Sequence, residues 1–347
     1  MIFGSPTVTS PGSRPIASLS LDLDNEWSYL KTHGDSGWQE LPSYLDLVIP
    51  RVLAFLAARD LRITFFVVGQ DAALDCNREA LASLATAGHE IANHSFRHEP
   101  WMHRYSPREV DEEIGRAEDA IECATSARTV GFRGPGYSLS PAILEVLAAR
   151  GYLYDASTLP TVIGPLARAI YFRSAHLTGA EREQRADLFG SASECLRPIR
   201  PYRWAVGGEG LVEVPVTTLP LLRVPVHVSY LLALSSRSKA LAIGYLRTAL
   251  SMCRAMRVQP SILLHPLDFL GADDVASLAF FPGMAMRGEE KIVAVGRFLD
   301  VLCSRFDVRP MLDHANVAAA SPDLPVVVPG HRRPRRGPRR PTGGEHE

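Results

Sequence analysis

"SLSLDLDNEW", residues 18–27, sets three acidic side chains, Asp22, Asp24 and Glu26, at every second position of a stretch that otherwise reads as a buried strand. Alternation with period two sends Leu19, Leu21 and Leu23 to one face and Ser18, Ser20, Asp22 and Asp24 to the other. Two readings are open. In a barrel the leucines pack beneath outer helices and the aspartates face inward at the strand's C-terminal mouth, where two close carboxylates stay ionised cheaply only beside a cation. In an edge strand the same pattern is a solvated face.

Strand-like and helix-like segments alternate through the rest of the chain. "YLDLVIPRVLAFLAARD" (44–60) has helical apolar spacing, and "RITFFVVG" (62–69) is a β-branched and aromatic run closed by Gly69. "NREALASLATAG" reads as a helix ended by Gly88, "HEIANH" as a short strand, and "SPREVDEEIGRAEDAIECAT" as a helix with Ser106 at its N-cap and Pro107 at its first position. Further strands are expected at "TVGFRGPG", "YLYDAS", "GLVEVPVTTLP" and "PSILLHP", with helices at "SPAILEVLAARG", about 230–257, and "EEKIVAVGRFLDVLCSRF". The repeat predicts an α/β fold, a parallel sheet or barrel with helices outside, and chemistry where strands end. The expected organisation is an N-terminal extension over 1–15, one domain over 16–318 with an insertion or lid at about 162–208, and a Pro/Arg-rich tail over 319–347 too poor in apolar surface to order itself.

Composition excludes other classes. A chain of 347 residues, 46 % apolar and 22 % charged, can bury an enzyme-sized core. Its 37 basic and 38 acidic residues nearly cancel, with arginine concentrated in "HRRPRRGPRRP" (331–341), so no strongly basic folded face and no nucleic-acid partner is expected. Five scattered cysteines without a CxxC pair read as reduced thiols. The first residues lack a signal peptide's basic start and apolar run, and no apolar run reaches the ~18 residues of a membrane span. A cytoplasmic protein is the expectation, with oligomeric state open. The Arg and aromatic residues of the insertion suit a phosphate or peripheral contact with an anionic membrane, although a solvated lid or dimer contact is the preferred reading.

Candidate site residues follow the strands. In "HSFRH", His94 and His98 are expected on one face of a helical turn, able to reach one cation with Asp24 as an anionic third ligand; two surface histidines are the plain alternative. His89 and His103 read as supporting or surface residues. Arg133 precedes a Gly134-Pro135-Gly136 loop, Asp155 ends a strand as either a helix cap or a catalytic group, and His265 ends "SILLHP" as a candidate acid or base.

Taken in order, "SLDLDNEW", "HSFRH", "FRGPGYS", "YDAS" and "LLHP" resemble the five motifs of the polysaccharide deacetylase family, metal-dependent carbohydrate esterases with a NodB-homology domain; the resemblance covers about 16–160 and 210–310. It implies a distorted (β/α) barrel of 7–8 parallel strands that removes acyl groups from N-acylated sugars. It further implies that Asp24, His94 and His98 bind a divalent metal, Zn²⁺ foremost, with Co²⁺, Mn²⁺ or Ni²⁺ as alternatives. Asp22 would be the base acting on water at the metal, and His265 the acid protonating the leaving amine. Arg133 would pair with Asp22, the Tyr137 backbone amide would help bind the oxyanion, and Asp155 would orient His265. Many family members carry adjacent aspartates followed by glycine; here a leucine separates the two, as in a DxD subgroup, so which aspartate is base and which is ligand stays open. Glu26 would lie beyond the strand end. With no export signal, the expected substrate is an intracellular glycan precursor or glycosylated metabolite. The alternatives are a deformylase or another linear or cyclic amide hydrolase, as in allantoinase-like relatives, and a non-catalytic barrel that binds glycan.

Overall fold

In the computed structural model, which describes residues 14–164, 194–207, 210–281 and 283–330, strand β1 (Ile16–Asp22) is buried along its whole length. That burial rules out the solvated-edge reading. β1 is flanked on one side by β8 (Ser261–Leu264) and on the other by β9 (Asp307–Arg309) and then β2 (Thr64–Val67), all parallel to it. The sheet continues through β3 (Glu90–Asn93), β4 (Gly131–Phe132), β5 (Tyr154–Asp155) and β7 (Leu211–Glu213), so seven strands from β7 to β8 run one way. Beyond β7 lie β6 (Tyr202–Trp204), antiparallel to it, and β10 (Val326–Val327). The sheet curls until Thr217, just past β7, meets β8: its N–H donates to the Ser261 carbonyl at 3.0 Å, and its Oγ1 accepts from the Ser261 N–H at 2.7 Å. This closure through one residue makes the barrel distorted.

Leu19, Leu21 and Leu23 are 0–2 % exposed beneath the helix layer. Each such burial stabilises by roughly 1.5–3 kcal/mol, and a one-residue slip of β1 would push Asp22 into that layer instead. The helix Met311–Ala319 covers the N-terminal end of the barrel: its first amide donates to Thr64 Oγ1 at 2.7 Å, and His314 Nδ1 lies 2.9 Å from Ser18 Oγ. The other end, where the strands finish, is left for chemistry.

Local signals place the outer helices. Pro107–Thr125 starts with a capping box between Ser106 and Glu109, and Pro141–Ala149 with Ser140 as cap. The single helix expected over about 230–257 is instead two, Val228–Ser235 and Lys239–Ala255, because Ser238 turns out of the helix and accepts the Leu241 N–H as a new N-cap. The expected 162–208 insertion lies mostly outside the described residues, yet its end is part of the sheet: Tyr202 and Trp204 are buried on β6. The domain also runs past 318. Arg203 N–H donates to the Pro325 carbonyl and Ala205 N–H to that of Val327, holding β10 on β6 with the apolar Val326–Val327 step. The extension at 1–13 and the Arg-rich stretch from 331 lie outside the described residues. Among the described residues all five cysteines are free, and no helix is long and apolar enough to cross a membrane.

Candidate metal and catalytic site

The inward face of β1 is a ladder of polar contacts from the closed end to the mouth. Ser18 meets His314, Ser20 Oγ accepts from Arg133 Nη1 at 2.9 Å, Asp22 Oδ1 accepts from the same Nη1 at 2.6 Å, and Asp24 comes last. Arg133 follows β4 and is fully buried; its Nε donates to the Ala156 carbonyl at 3.0 Å, and its guanidinium lies 4.2 Å from the centre of the Phe66 ring. The strand thus stands its second aspartate free of the arginine and its first against it.

His94 and His98 arrive on a loop, not on the helical turn expected. Ser95 (φ 64°) and His98 (φ 52°) are left-handed. That conformation is imposed from outside: Glu113 Oε1 accepts the amides of Phe96 and Arg97, Asn93 Oδ1 accepts that of Ser95, and the Ser95 and Phe96 carbonyls accept from Gly69 and Gln70. The loop presents both imidazoles to Asp24, whose Oδ1 lies 3.4 Å from His94 Nε2 and 3.0 Å from His98 Nε2. The shorter contact lacks hydrogen-bond direction, and Asp24 Oδ1 and His98 Nε2 both remain buried without a hydrogen-bond partner. Buried polar atoms left in this state are rare. Three ligand atoms from Asp24, His94 and His98 lie within 4.8 Å of one another, so the donor set fits a divalent cation with positions left for water and substrate. His94 Nδ1 lies 2.6 Å from the Arg133 carbonyl, which fixes the ring with Nε2 toward the cluster.

Charge in this pocket is balanced by neighbours. Burial would raise the Asp24 carboxyl, but His98 and His94 hold it well below the usual carboxylate range. Burial would lower His94, but Asp22 and Asp24 raise it. Asp22 Oδ2 is 4.0 Å from His94 Nε2, so Arg133 occupies one oxygen and the other faces the cluster.

His265 follows β8 with its N–H donating to Asp268 Oδ2 at 2.9 Å, and Asp268 Oδ1 accepts from Ser229 Oγ at 2.7 Å. Its ring stacks on His227 with centres 4.9 Å apart, and its Nδ1 is buried without a partner. His227 is held well below the usual histidine range by burial, then by His265 and Arg133. The structure gives Asp155 other partners than the expected His265: Oδ1 accepts from Ser157 Oγ at 2.5 Å, and its strand neighbour is Glu213. The carboxylate beside His265 is Asp268. The Tyr137 amide is also spent, donating to the Gly134 carbonyl at 2.9 Å in a turn with Gly136 and Tyr137 both left-handed. Its phenol is pushed up by burial and then by the charge of Asp22.

Three of the notable neighbours, His227, Asp268 and Glu213, carry a sequence signal of their own, a histidine or an acid inside an apolar run. Asp71 had none. Its Oδ1 accepts from Asn25 Nδ2 at 2.7 Å and Trp27 Nε1 at 2.8 Å, and burial pushes it up to about 7. Trp27 in turn sets its ring edge-on to His98. Glu26 points away to Ser277, His89 accepts the Ile63 amide, and His103 contacts Ser138.

Residues 35–154 match the polysaccharide deacetylase family, a span that includes His94, His98, Arg133 and Tyr137 but not Asp22, Asp24, Asp155 or His265. Among curated proteins the chain is 26 % identical over 102 residues to the uncharacterized protein YlxY of Bacillus subtilis (strain 168), covering 29 % of this chain and 31 % of that protein. The chain thus spans about a third of that relative's length. Among solved structures, one from Mycobacterium smegmatis described as a polysaccharide deacetylase superposes with TM-score 0.60 at 23 % identity, covering 95 % of this chain and 99 % of that one. PuuE allantoinase superposes with TM-score 0.54 at 15 % identity, covering 90 % and 93 %. At these identities the superpositions show the fold, the distorted barrel described above.

Proposed function

For a chain whose residues 35–154 match the polysaccharide deacetylase family, we propose a metal-dependent hydrolase that removes the acetyl group from an N-acetylated sugar. The observation that carries this reading is the convergence of Asp24, His94 and His98 beside an Asp22 clamped by Arg133. A divalent ion held by those three, with Zn²⁺ as the proposed identity, supplies Lewis acidity to the acyl oxygen and makes water acidic enough for a carboxylate base.

The chain's own groups do the rest. Arg133 occupies Asp22 Oδ1, which leaves Oδ2 to take the proton of the attacking water. His94 is held in one orientation by the Arg133 carbonyl, which ties the base and the ligand to the same residue. His265, seated by Asp268 and stacked on a neutral His227, delivers a proton to the leaving nitrogen. Asp155 supports the Arg133 side of the pocket through Ser157, whose Oγ accepts the Gly134 amide at 2.8 Å. The proposed substrate is an N-acylated glycan precursor inside the cell.

Acyl loss from lipid-linked and nucleotide-linked N-acetyl sugars, read by mass spectrometry with metal analysis of the same preparation, tests the reading. Acetate release that disappears in Asp22→Asn is expected. Unchanged release in that variant sinks the mechanism, and formate in place of acetate assigns the chain to the deformylase alternative.

A further inference from the structure

Half of the exposed large apolar residues among the described residues gather on one side of the barrel mouth. Of twelve, six are Val162, Leu196, Leu221, Leu222, Tyr230 and Leu241. Their centre is a hairpin that leaves the C-terminal end of β7. Thr218 bridges Pro225, Leu219 N–H donates to the Val224 carbonyl at 2.6 Å, and the tip between them reads Pro220-Leu221-Leu222-Arg223. Leu221 and Leu222 are 74 % and 64 % exposed. Leu221 (φ 75°) and Arg223 (φ 56°) are left-handed, a backbone state that non-glycine residues adopt at a cost. The fold therefore holds a strained turn that presents two leucines to solvent.

The surroundings are contiguous. Val162 N–H and Thr161 Oγ1 both donate to the Arg223 carbonyl, and Arg223 Nη1 donates to the Arg197 carbonyl, next to Leu196. On the other flank Tyr245 donates to the Pro225 carbonyl, one helical turn from Leu241. The hairpin's return strand leads into His227, stacked on His265, so the leucines share a rim with the metal cluster.

Charge around this patch is one-sided. Between Glu213 and Asp268 the chain has 54 residues without a carboxylate; of its six basic side chains, Arg223 is in the hairpin and Arg237 and Lys239 lie just before Leu241, whereas Arg247, Arg254 and Arg257 follow along the helix toward the start of β8. Arg223 and Arg237 bond to main-chain carbonyls, which leaves their charge uncompensated.

We infer that this rim docks on an anionic lipid bilayer, with Leu221 and Leu222 entering the interface and the arginines meeting the headgroups. Aliphatic tips flanked by Arg223, Arg237 and Lys239 suit that occupant: buried apolar area and headgroup attraction add. A nucleic acid would call for aromatic stacking platforms, which the tip lacks. A symmetric second copy would set Arg223, Arg237 and Lys239 against their own copies, with no carboxylate among residues 214–267 to pair them. Docking brings the mouth to the membrane surface, so the substrate class becomes an amide on a lipid-carried sugar; that last step rests on the proposed hydrolase reading.

The test is sedimentation of the full chain with vesicles of phosphatidylcholine alone or mixed with phosphatidylglycerol. The wild type is expected to partition to the mixed vesicles. Leu221→Asn with Leu222→Asn, residues that tolerate the left-handed turn, should weaken partition by roughly tenfold per leucine. Arg237→Gln with Lys239→Gln should lower the phosphatidylglycerol increment and its salt sensitivity. The Arg-rich tail is common to all three proteins, so the differences report the rim. Wild-type protein that ignores the vesicles, an asparagine variant that binds as tightly as wild type, or a variant whose only change is loss of a dimer overturns the inference. Acetate release from a soluble nucleotide-linked sugar is expected to survive in the asparagine variant, so the docking and the hydrolase reading stand or fall separately.

Discussion

Two pairs of carboxyl groups are buried inside the same barrel among opposite kinds of partner. Asp22 and Asp24 face Arg133, His94 and His98. Asp155 and Glu213, on adjacent strands β5 and β7, meet neutral donors: Ser157 on one, and the Thr158 amide and hydroxyl with Trp204 Nε1 on the other. Asp24 is held low by its histidines in spite of burial. Asp155 is raised by burial, and Glu213 is raised well above its usual range by burial and then by Asp155. Burial is common to both pairs, so the partner decides whether an interior acid is a charge to be used or a proton to be kept.

Loss of a proposed metal ligand is the largest expected effect. Asp24→Asn or His94→Ala should lower metal affinity by more than the roughly 10–100-fold that loss of an outer partner costs, read by competition with a chelator, whereas Asp155→Asn should leave metal affinity unchanged. Next in size is the arginine. Arg133→Met strands a buried carboxylate and should cost about 3–5 kcal/mol in denaturant unfolding, while Trp204→Phe, which removes a neutral donor from Glu213, should cost about 1–2 kcal/mol.

The smallest effect is a slope. Because the folded state raises the Asp155 and Glu213 carboxyls, it binds more protons than the unfolded chain above the ordinary carboxylate range. Stability from this pair is therefore present at low pH and is lost as pH rises through the raised values, at up to about 1.4 kcal/mol per pH unit for each proton. Asp155→Asn should flatten that slope in a series of melts; an unchanged slope would mean the pair does not hold its proton.

Much of the site was legible because each motif sits at a strand end with its own local marker: acids in an apolar alternation, a histidine stopped by proline. What could not be read locally was set by partners distant in the chain. Asp22 and Asp24 share a face, and only Arg133, three strands away, separates them. The His94 loop looked helical by spacing because the Glu113 carboxylate that bends it lies in another helix. The partner of Asp155 is 58 positions on, at Glu213, an acid inside "GLVEVPV" that carried the same marker as Asp22.

The step after Asp24 has a consequence for how such a site tolerates change. The Asn25 side chain donates to Ser43 Oγ and Asp71 Oδ1 and accepts the amides of Glu26 and Tyr44, which fills every hydrogen-bonding position an amide offers. Aspartate there would lose both donors and leucine all four bonds, and the loop carrying Asp24, the proposed metal ligand, would lose its tie to two other stretches of chain, at Ser43–Tyr44 and at Asp71. In a saturation scan of residues 18–27, Asn25 should be as intolerant as the aspartates on either side of Leu23 while touching neither metal nor substrate. A position can therefore look catalytic in a fitness map solely because it is fully subscribed.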